Sequence, residues 1–202
     1  QMPGREDRLN EPSETSMQAL IETLAKETIN YSNCPFAFFG HSMGAIVAYE
    51  TACQLRNIGA HQPMHLFLSA RAAPHIHEQC AQLRFLDDKA LVDQLQQTYG
   101  AVPEAIRTNS DLRAKFLPTL RADIELLEKY EYLKSEPLDC PITAIGGKDD
   151  PAITEEMLQG WRTHTSAQFK QYIFPGKHFY INAEYEKVIK MILNELNFSY
   201  RA

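Results

Sequence analysis

The hydrophobic pattern of the first quarter of the chain predicts a strand, a turn and a helix in direct succession. A short apolar run at residues 36–39 ends at Gly40. A run this short, rich in aromatic residues and closed by glycine, is typical of a strand buried on both faces. From Ala45 the residues are helix formers with no breaker before Gly59. The pattern therefore predicts a strand–turn–helix junction at residues 40–44.

Further apolar runs predict three more strands, at residues 64–69, 141–145 and 169–174. A strand, a helix and a second strand make a βαβ unit, which implies a mostly parallel sheet flanked by helices. Apolar residues at helical spacing also predict a helix before the first strand and another after the last. Their expected apolar faces comprise Leu20, Ile21, Leu24, Ala25 and Ile29 in the first helix, and Ile181, Tyr185, Val188, Ile192 and Leu196 in the last.

The segment between the second and third predicted strands is helical and charged. Helical patterns run from Asp88 to Tyr99 and from Leu112 to Leu133, the second interrupted at Pro118. One crossover between parallel strands needs only about a dozen residues, so the length favours a helical lid insertion at 75–135 over ordinary crossover helices. Its apolar positions are expected to face a substrate pocket rather than a second layer; they are Leu91, Leu95, Phe116 and Leu120.

Length and composition indicate one globular domain of 202 residues, with a core at about 1–74 and 136–202. The net charge of −6 and the lack of a Lys/Arg run argue against a nucleic-acid partner. The four cysteines include no Cys-x-x-Cys pair, which favours reduced thiols in a cytoplasmic protein. No apolar stretch is long enough to span a bilayer.

The sequence begins at Gln1 with residues that are typical of an internal segment of a longer protein. Residues 1–15 are polar and contain prolines, and no strand is predicted before the first helix. We therefore expect that N-terminal strands of the sheet are missing from this sequence.

The junction Gly40-His41-Ser42-Met43-Gly44 matches the nucleophile elbow, Gly-x-Ser-x-Gly. Ser42 must occupy a sharp turn that projects its hydroxyl from the sheet, and the two glycines let strand and helix pass closely. The backbone N–H of Met43 would face the developing oxyanion, beside the positive end of the helix. The alternative, a serine with only a structural role in a turn, accounts less well for this context.

Two later loops offer the base and the carboxylate that a nucleophilic serine needs. His178 follows the last predicted strand, and Asp149 and Asp150 follow the strand before it. Parallel sheets gather ligands at the carboxyl ends of their strands, and the chain order serine, aspartate, histidine is that of hydrolases with this elbow. We favour Asp150 because it lies three residues after Gly147; Asp149 remains an alternative.

The other histidines are weaker candidates for the base. His41 within the elbow is expected to be positional, and three more lie too early in the chain or too exposed: His61, His65 and His164. The His75-x-His77 pair with Cys80 could form a metal site, but no fourth ligand lies at useful spacing. No metal and no organic cofactor are expected.

Several segments spread over almost the whole chain resemble the type II thioesterases, the stand-alone editing enzymes of nonribosomal peptide and polyketide synthesis. Trp161 and Thr165 also fall where such proteins carry a tryptophan and a threonine. The matching segments are Gln1-Met2-Pro3-Gly4-Arg5-Glu6, the elbow, Ser69-Ala70-Arg71-Ala72-Ala73-Pro74, Leu120-Arg121-Ala122-Asp123, Pro141-Ile142-Thr143-Ala144 with Gly146-Gly147, and Pro175-Gly176-Lys177-His178-Phe179.

The resemblance implies an α/β-hydrolase fold with a triad of Ser42, Asp150 and His178. It implies a substrate of acyl groups on the phosphopantetheine arm of an acyl or peptidyl carrier protein, and a cytoplasmic monomer is expected. The family also has an upstream strand and a glycine-containing loop that supplies a second oxyanion donor; only Met43 can be named here. Lys177 stands where a second glycine is common.

Three other functions remain open at this point. A cyclising thioesterase domain of a synthetase or a general serine esterase would share the fold and the triad. A binding module of hydrolase fold without activity would share the fold alone, although an intact set of serine, aspartate and histidine argues against it.

Overall fold

The computed structural model describes residues 1–31, 34–76, 82–100 and 102–199. Helices and strands alternate along most of the chain, and short 3-10 helices occur at Glu6–Arg8, Leu83–Phe85 and Gly160–His164. The elements, in chain order, are α1 (Met17–Tyr31), β1 (Phe38–His41), α2 (Met43–Asn57), β2 (Leu66–Ser69), α3 (Asp88–Tyr99), α4 (Glu104–Thr108), α5 (Ser110–Glu128), β3 (Ile142–Gly147), α6 (Glu155–Gln159), β4 (Phe169–Phe174) and α7 (Ile181–Ser199).

The four described strands form one sheet in the order β1-β2-β3-β4, and every pairing is parallel. This confirms the predicted parallel sheet. His41 is in register with Ser69, and Ser69 with Ile145, so the carboxyl ends of neighbouring strands lie side by side. Residues that follow these ends are thereby brought to one edge of the sheet.

The centre of the sheet is buried, but its first strand is not. Every residue of β2 and β3 is buried, and Phe67 and Ile145 pack in a cluster with Val188 and Met191 of α7. The prediction that the first strand is buried on both faces is wrong, because Phe39 is 40% exposed. Among the described strands β1 pairs only with β2, so it lies at an edge where fewer neighbours cover it.

The chain divides into two compact units. One comprises Ile21–His77 and Tyr132–Ala202, which include the sheet; the other comprises Gln1–Leu20 and Glu78–Glu131. In the second unit the Arg5 guanidinium donates to both carboxylate oxygens of Asp123, at 3.2 and 2.7 Å, and the Thr119 hydroxyl donates to the carbonyl of Gly4. These bonds join the N-terminal segment to α5, although the sequence places that segment in the core.

The helices at 88–128 have a hydrophobic core of their own. Leu91 and Leu95 of α3 are buried in one cluster with Leu117 and Ile124 of α5. The expectation that Leu91 and Leu95 face a pocket rather than a second layer is therefore wrong. Phe116 is only partly buried, while Leu120 packs against this same cluster.

Local sequence signals place the ends of these helices. The Asp87 carboxylate accepts the Ala90 N–H, and the Asn109 side chain accepts two amides of the first turn of α5. Such caps satisfy amide groups that have no acceptor within the helix. Gly100 ends α3 with a left-handed φ of 64°, which glycine adopts at little cost.

Tertiary packing overrides the local pattern at three predicted positions. Pro118 does not interrupt α5, because the buried Leu117 and Ile124 hold the helix on both sides of it. Ile29 is 42% exposed and Tyr185 is 53% exposed, although both were expected on buried faces. Helical spacing marks apolar residues on more than one side of α7, and only packing decides which side is buried.

Candidate active site

Ser42 occupies a strained backbone turn between β1 and α2. Its φ is 55° and its ψ is −118°, a region that costs a residue with a side chain about 1–3 kcal/mol. The Ser42 N–H donates to the carbonyl of Ser69 at 2.8 Å, which anchors the turn to the end of the neighbouring strand. The strain is thus held by a bond to the sheet.

The two elbow glycines have different surroundings. A Cβ on Gly40 would overlap the backbone carbonyl of Gly44, so Gly40 permits the close passage expected from the sequence. A Cβ on Gly44 would meet no heavy atom within 4 Å in the described residues outside its own helix and chain neighbours. The close passage of strand and helix that was expected at Gly44 is therefore not seen among the described residues.

The loop that carries His178 is held against the end of β3. The Asp149 N–H donates to the carbonyl of Gly176 at 2.9 Å, and Gly176 has a φ of 113°. A Cβ on Gly147 would overlap the carbonyl of Lys177, so only glycine allows the two loops this separation. The close packing of these loops brings Asp150 and His178 into the same site.

The structure brings Ser42, Asp150 and His178 into one chain of hydrogen bonds. Nδ1 of His178 lies 2.8 Å from Oδ2 of Asp150, and Nε2 lies 3.1 Å from Oγ of Ser42. The second oxygen of Asp150 accepts the Ala152 N–H at 2.9 Å. His178 is 2% exposed and the Asp150 side chain is buried, whereas Asp149 is exposed and is not part of this chain of bonds.

Met43 is the first residue of α2. The first amides of a helix have no acceptor within it and carry the partial positive charge of the helix N-terminus. The Met43 N–H, adjacent to Ser42, is therefore a donor suited to an oxyanion formed on a carbonyl bound at the serine.

His41 lies beside His178 and is largely shielded from solvent. Its Nδ1 lies 2.8 Å from Oγ of Ser69, and its ring lies 5.4 Å from the ring of His178. Burial first, and then the neighbouring His178, lower the pKa of His41 to about 4 against the opposing effect of Asp150. Its contacts agree with the positional role expected for it.

His65 and His164, which were expected to lie too early in the chain or too exposed, are both buried, so solvent exposure does not set them apart from His178. His65 bonds to the Thr143 hydroxyl at 2.8 Å, and His164 bonds to the Tyr49 hydroxyl at 2.9 Å. Burial lowers the pKa of each imidazole to about 4. Both bond to groups outside the chain of hydrogen bonds that contains His178.

The residues suggested as a metal site are only partly described. Nδ1 of His75 lies 2.7 Å from Nε2 of His164, while His77 and Cys80 lie outside the described residues. Within 1–31, 34–76, 82–100 and 102–199 no three side chains of His, Cys, Asp or Glu are grouped as metal ligands.

Sequence reasoning missed two residues beside the site. Ser69 is fully buried at the end of β2, and its Oγ lies 2.6 Å from the hydroxyl of Tyr180 as well as 2.8 Å from His41. A polar residue at the carboxyl end of a central strand is the signal that could have found Ser69. Tyr180 carried no such signal, because aromatic residues near a strand end are usually part of the core.

Comparisons with known proteins agree with this geometry. The family model for the thioesterase domain matches residues 1–196. Linear gramicidin dehydrogenase LgrE of Brevibacillus parabrevis is 40% identical over 198 residues, which cover 97% of this chain and 75% of that protein.

Solved structures of thioesterases are also similar to this chain. The RedJ thioesterase from the prodiginine biosynthetic pathway in Streptomyces coelicolor is 39% identical, with a TM-score of 0.83 over 90% of this chain and 68% of its own. The type II thioesterase BorB from the borrelidin biosynthetic cluster is 33% identical, with a TM-score of 0.86 over 97% of this chain and 79% of its own.

None of the helices in the described ranges is both long enough and apolar enough to cross a membrane. The family match over nearly the whole chain also confirms the α/β-hydrolase fold expected from the sequence. This chain belongs to the thioesterase family and is a thioester hydrolase.

Proposed function

We propose that Ser42, His178 and Asp150 hydrolyse acyl thioesters through an acyl-enzyme. The observation that carries this proposal is the position of His178, with Nδ1 2.8 Å from Asp150 and Nε2 3.1 Å from the Ser42 hydroxyl. Asp150 orients the imidazole, holds its tautomer and stabilises the imidazolium that forms.

The reaction proceeds in two displacements. Ser42 Oγ attacks the thioester carbonyl as its proton passes to Nε2 of His178, and the C–S bond then breaks. The thiol leaves with the proton from His178, and the acyl group remains on Ser42 as an ester. A water molecule, deprotonated by His178, attacks this ester and releases a carboxylic acid and free Ser42.

Charge on the attacked carbonyl is stabilised by the Met43 N–H at the start of α2. A thioester carbonyl is poorly stabilised by resonance and its thiolate is a good leaving group, so the reaction requires neither a metal nor an organic cofactor. These residues are therefore sufficient for the chemistry, apart from a second oxyanion donor that the sequence does not identify.

The proposed substrate is an acyl group on the phosphopantetheine arm of a carrier protein, and its removal would unblock a peptide or polyketide synthase. Support comes from relatives named for such pathways, including the Gramicidin S biosynthesis protein GrsT of Aneurinibacillus migulanus and the BorB type II thioesterase. We propose that residues 75–135 act as a lid, supported by the separate core of the helices there.

The proposal includes a cytoplasmic monomer without a nucleic-acid partner. The three described cysteines, Cys34, Cys53 and Cys140, are free, as is usual in a reducing compartment. Size-exclusion chromatography with light scattering tests the monomer; a stable dimer would contradict it.

Turnover of matched substrates tests the reaction. The same acyl group is presented on a carrier protein, on coenzyme A and as a simple oxygen ester, and Ser42→Ala is the control. We expect the highest kcat/KM on the carrier, a linear acid as product and no turnover by the control. Preference for the oxygen ester would indicate a general esterase, and a macrocyclic product from a peptidyl carrier would indicate a cyclising enzyme.

A further inference from the structure

Ser69 connects the two loops that carry the nucleophile and the base. Its carbonyl accepts the Ser42 N–H at 2.8 Å. Its hydroxyl contacts His41, the residue before the nucleophile, at 2.8 Å and Tyr180, two residues after the base, at 2.6 Å. One residue of β2 thus holds the backbone of Ser42 and bridges the flanks of Ser42 and His178.

The Ser69 hydroxyl lies between two groups that can each donate or accept a hydrogen bond. Burial raises the pKa of Tyr180, so its hydroxyl remains protonated. The Ser69 hydroxyl has a single proton, so it donates to one of these two neighbours and accepts from the other. Nε2 of His41 is buried and has no hydrogen-bond partner in the described residues in either direction, and both directions keep the bridge through Ser69.

The bridge lies among buried and packed groups. Ser69 is fully buried, and Tyr180 is buried and stacks on Phe174, the last residue of β4, at 5.7 Å between ring centres. Buried hydrogen bonds favour one arrangement of the groups that they join. Ser69 therefore ties His41 and Tyr180 to fixed points at the ends of β2 and β4.

We propose that Ser69 is a positioning residue that sets the separation between Ser42 and His178. The proposal rests on the proposed function, in which the base must lie within hydrogen-bonding distance of the nucleophile. Loss of the bridge frees both loops to shift, and a misplacement of about 1 Å can cost about 10²-fold in rate. The Ser69 hydroxyl itself takes no part in bond making.

The sheet contains a matched control. The Thr143 hydroxyl on β3 bonds to Nε2 of buried His65 at 2.8 Å, the same distance and kind of bond as that between Ser69 and His41. Thr143 is also fully buried, but it lies within the strand rather than at its carboxyl end. Thr143→Val therefore removes a buried hydroxyl–imidazole bond that does not join the two loops.

The test is the rate at which a fluorophosphonate probe labels Ser42, measured together with the number of labels per chain at completion. The rate reports the reactivity of each site, while the end-point reports the fraction of folded, competent protein. Ser69→Ala should lower the second-order rate constant about 10- to 100-fold with an end-point of one label per chain. Thr143→Val should label at the wild-type rate.

Tyr180→Phe gives a second measurement should Ser69→Ala fold poorly. It removes one end of the bridge and keeps the ring, so we expect a smaller decrease in rate with a full end-point. In thioester hydrolysis both variants should lower kcat and leave KM unchanged.

Two outcomes separate this inference from the proposed function. Wild-type labelling rates per site in both Ser69→Ala and Tyr180→Phe would overturn the positioning role and leave the triad standing. An unlabelled wild-type protein would overturn the triad itself. A decrease in Thr143→Val equal to that in Ser69→Ala would also overturn the proposal, since any buried hydroxyl would then have the same effect.

Discussion

Oδ2 of Asp150 lies 2.8 Å from Nδ1 of His178, while the side chain of Asp149 is exposed to solvent. The Asp149 N–H bonds to Gly176 O, and Oδ1 of Asp150 accepts the Ala152 N–H. Asp149 therefore joins two loops through its backbone N–H, while the adjacent Asp150 faces the imidazole with its side chain.

Asp150→Asn should lower kcat by up to about 10⁴-fold, because an amide cannot hold the His178 tautomer or stabilise an imidazolium. The matched change Asp149→Asn retains the backbone bond to Gly176 and should have little effect on kcat. Steady-state hydrolysis of an acyl thioester checks both variants. A larger loss of kcat in Asp149→Asn than in Asp150→Asn would mean that Asp149, and not Asp150, orients His178.

Ser42→Ala and His178→Ala should each lower hydrolysis by several orders of magnitude and leave the fold intact. The double variant should be no slower than the worse single variant, because the members of a triad act as a unit. Single-turnover kinetics measures the rates, and circular dichroism checks the fold. Retained turnover in Ser42→Ala, or additive losses in the double variant, would contradict the acyl-enzyme mechanism.

Gly40→Ala should destabilise the protein and reduce its activity, because a Cβ there overlaps the Gly44 carbonyl and forces β1 and α2 apart. Gly44→Ala is the matched change in the same turn, where a Cβ meets no neighbour among the described residues outside its own helix. It should preserve activity and add stability of about 0.5–1 kcal/mol, since alanine restricts the unfolded chain more than glycine. Urea unfolding and thioester turnover distinguish the two, and equal damage from both would contradict the described geometry.

Stability should fall as the pH is lowered from about 6.5 to about 4, because three buried imidazoles resist protonation. Burial lowers the pKa of His41, His65 and His164 to about 4, while an unfolded histidine titrates near 6.5. Between these values the unfolded chain binds more protons, so the contribution is complete above about pH 6.5 and is lost towards pH 4.

Urea midpoints at about pH 7.5 and about pH 5 measure this dependence. His65→Gln, which removes one of the three groups, should show a smaller decrease between the two pH values than the wild type. Equal midpoints for the wild type at both values would mean that the buried imidazoles accept protons in the folded state.

Leu95→Ala should weaken the helical unit selectively. Leu95 is buried in the cluster between α3 and α5, and removing a buried leucine side chain costs about 2–5 kcal/mol. Hydrogen exchange should show reduced protection within Glu78–Glu131 and unchanged protection in α2. The exposed Leu112 of α5 supplies the control, Leu112→Ala, which should change little.

The wild-type exchange pattern bears on the proposed lid at 75–135. We expect amides of this segment to exchange faster than those of α2, because lids open at lower free energy than the core. Equal protection of both segments would make the insertion a fixed part of the fold and would count against a lid.

The sequence by itself determined the local features of this protein. Asp88 and Tyr99 bound α3 as predicted, and Phe169 and Phe174 bound β4, because apolar periodicity and the residues that end an element act over a few neighbours. The elbow around Ser42 was identifiable for the same reason, since the motif requires a fixed spacing of glycine and serine. The order of the later aspartate and histidine could also be read along the chain.

Only the tertiary structure decided features that depend on contacts between distant segments. Which of the Asp149 and Asp150 side chains faces His178 follows from how the loops after β3 and β4 pack, and the burial of His65 follows from its neighbours in the sheet. The bridge from Ser69 to Tyr180 spans 111 positions of sequence. No local pattern encodes such a contact, because the position of each side chain depends on the fold of every segment between them.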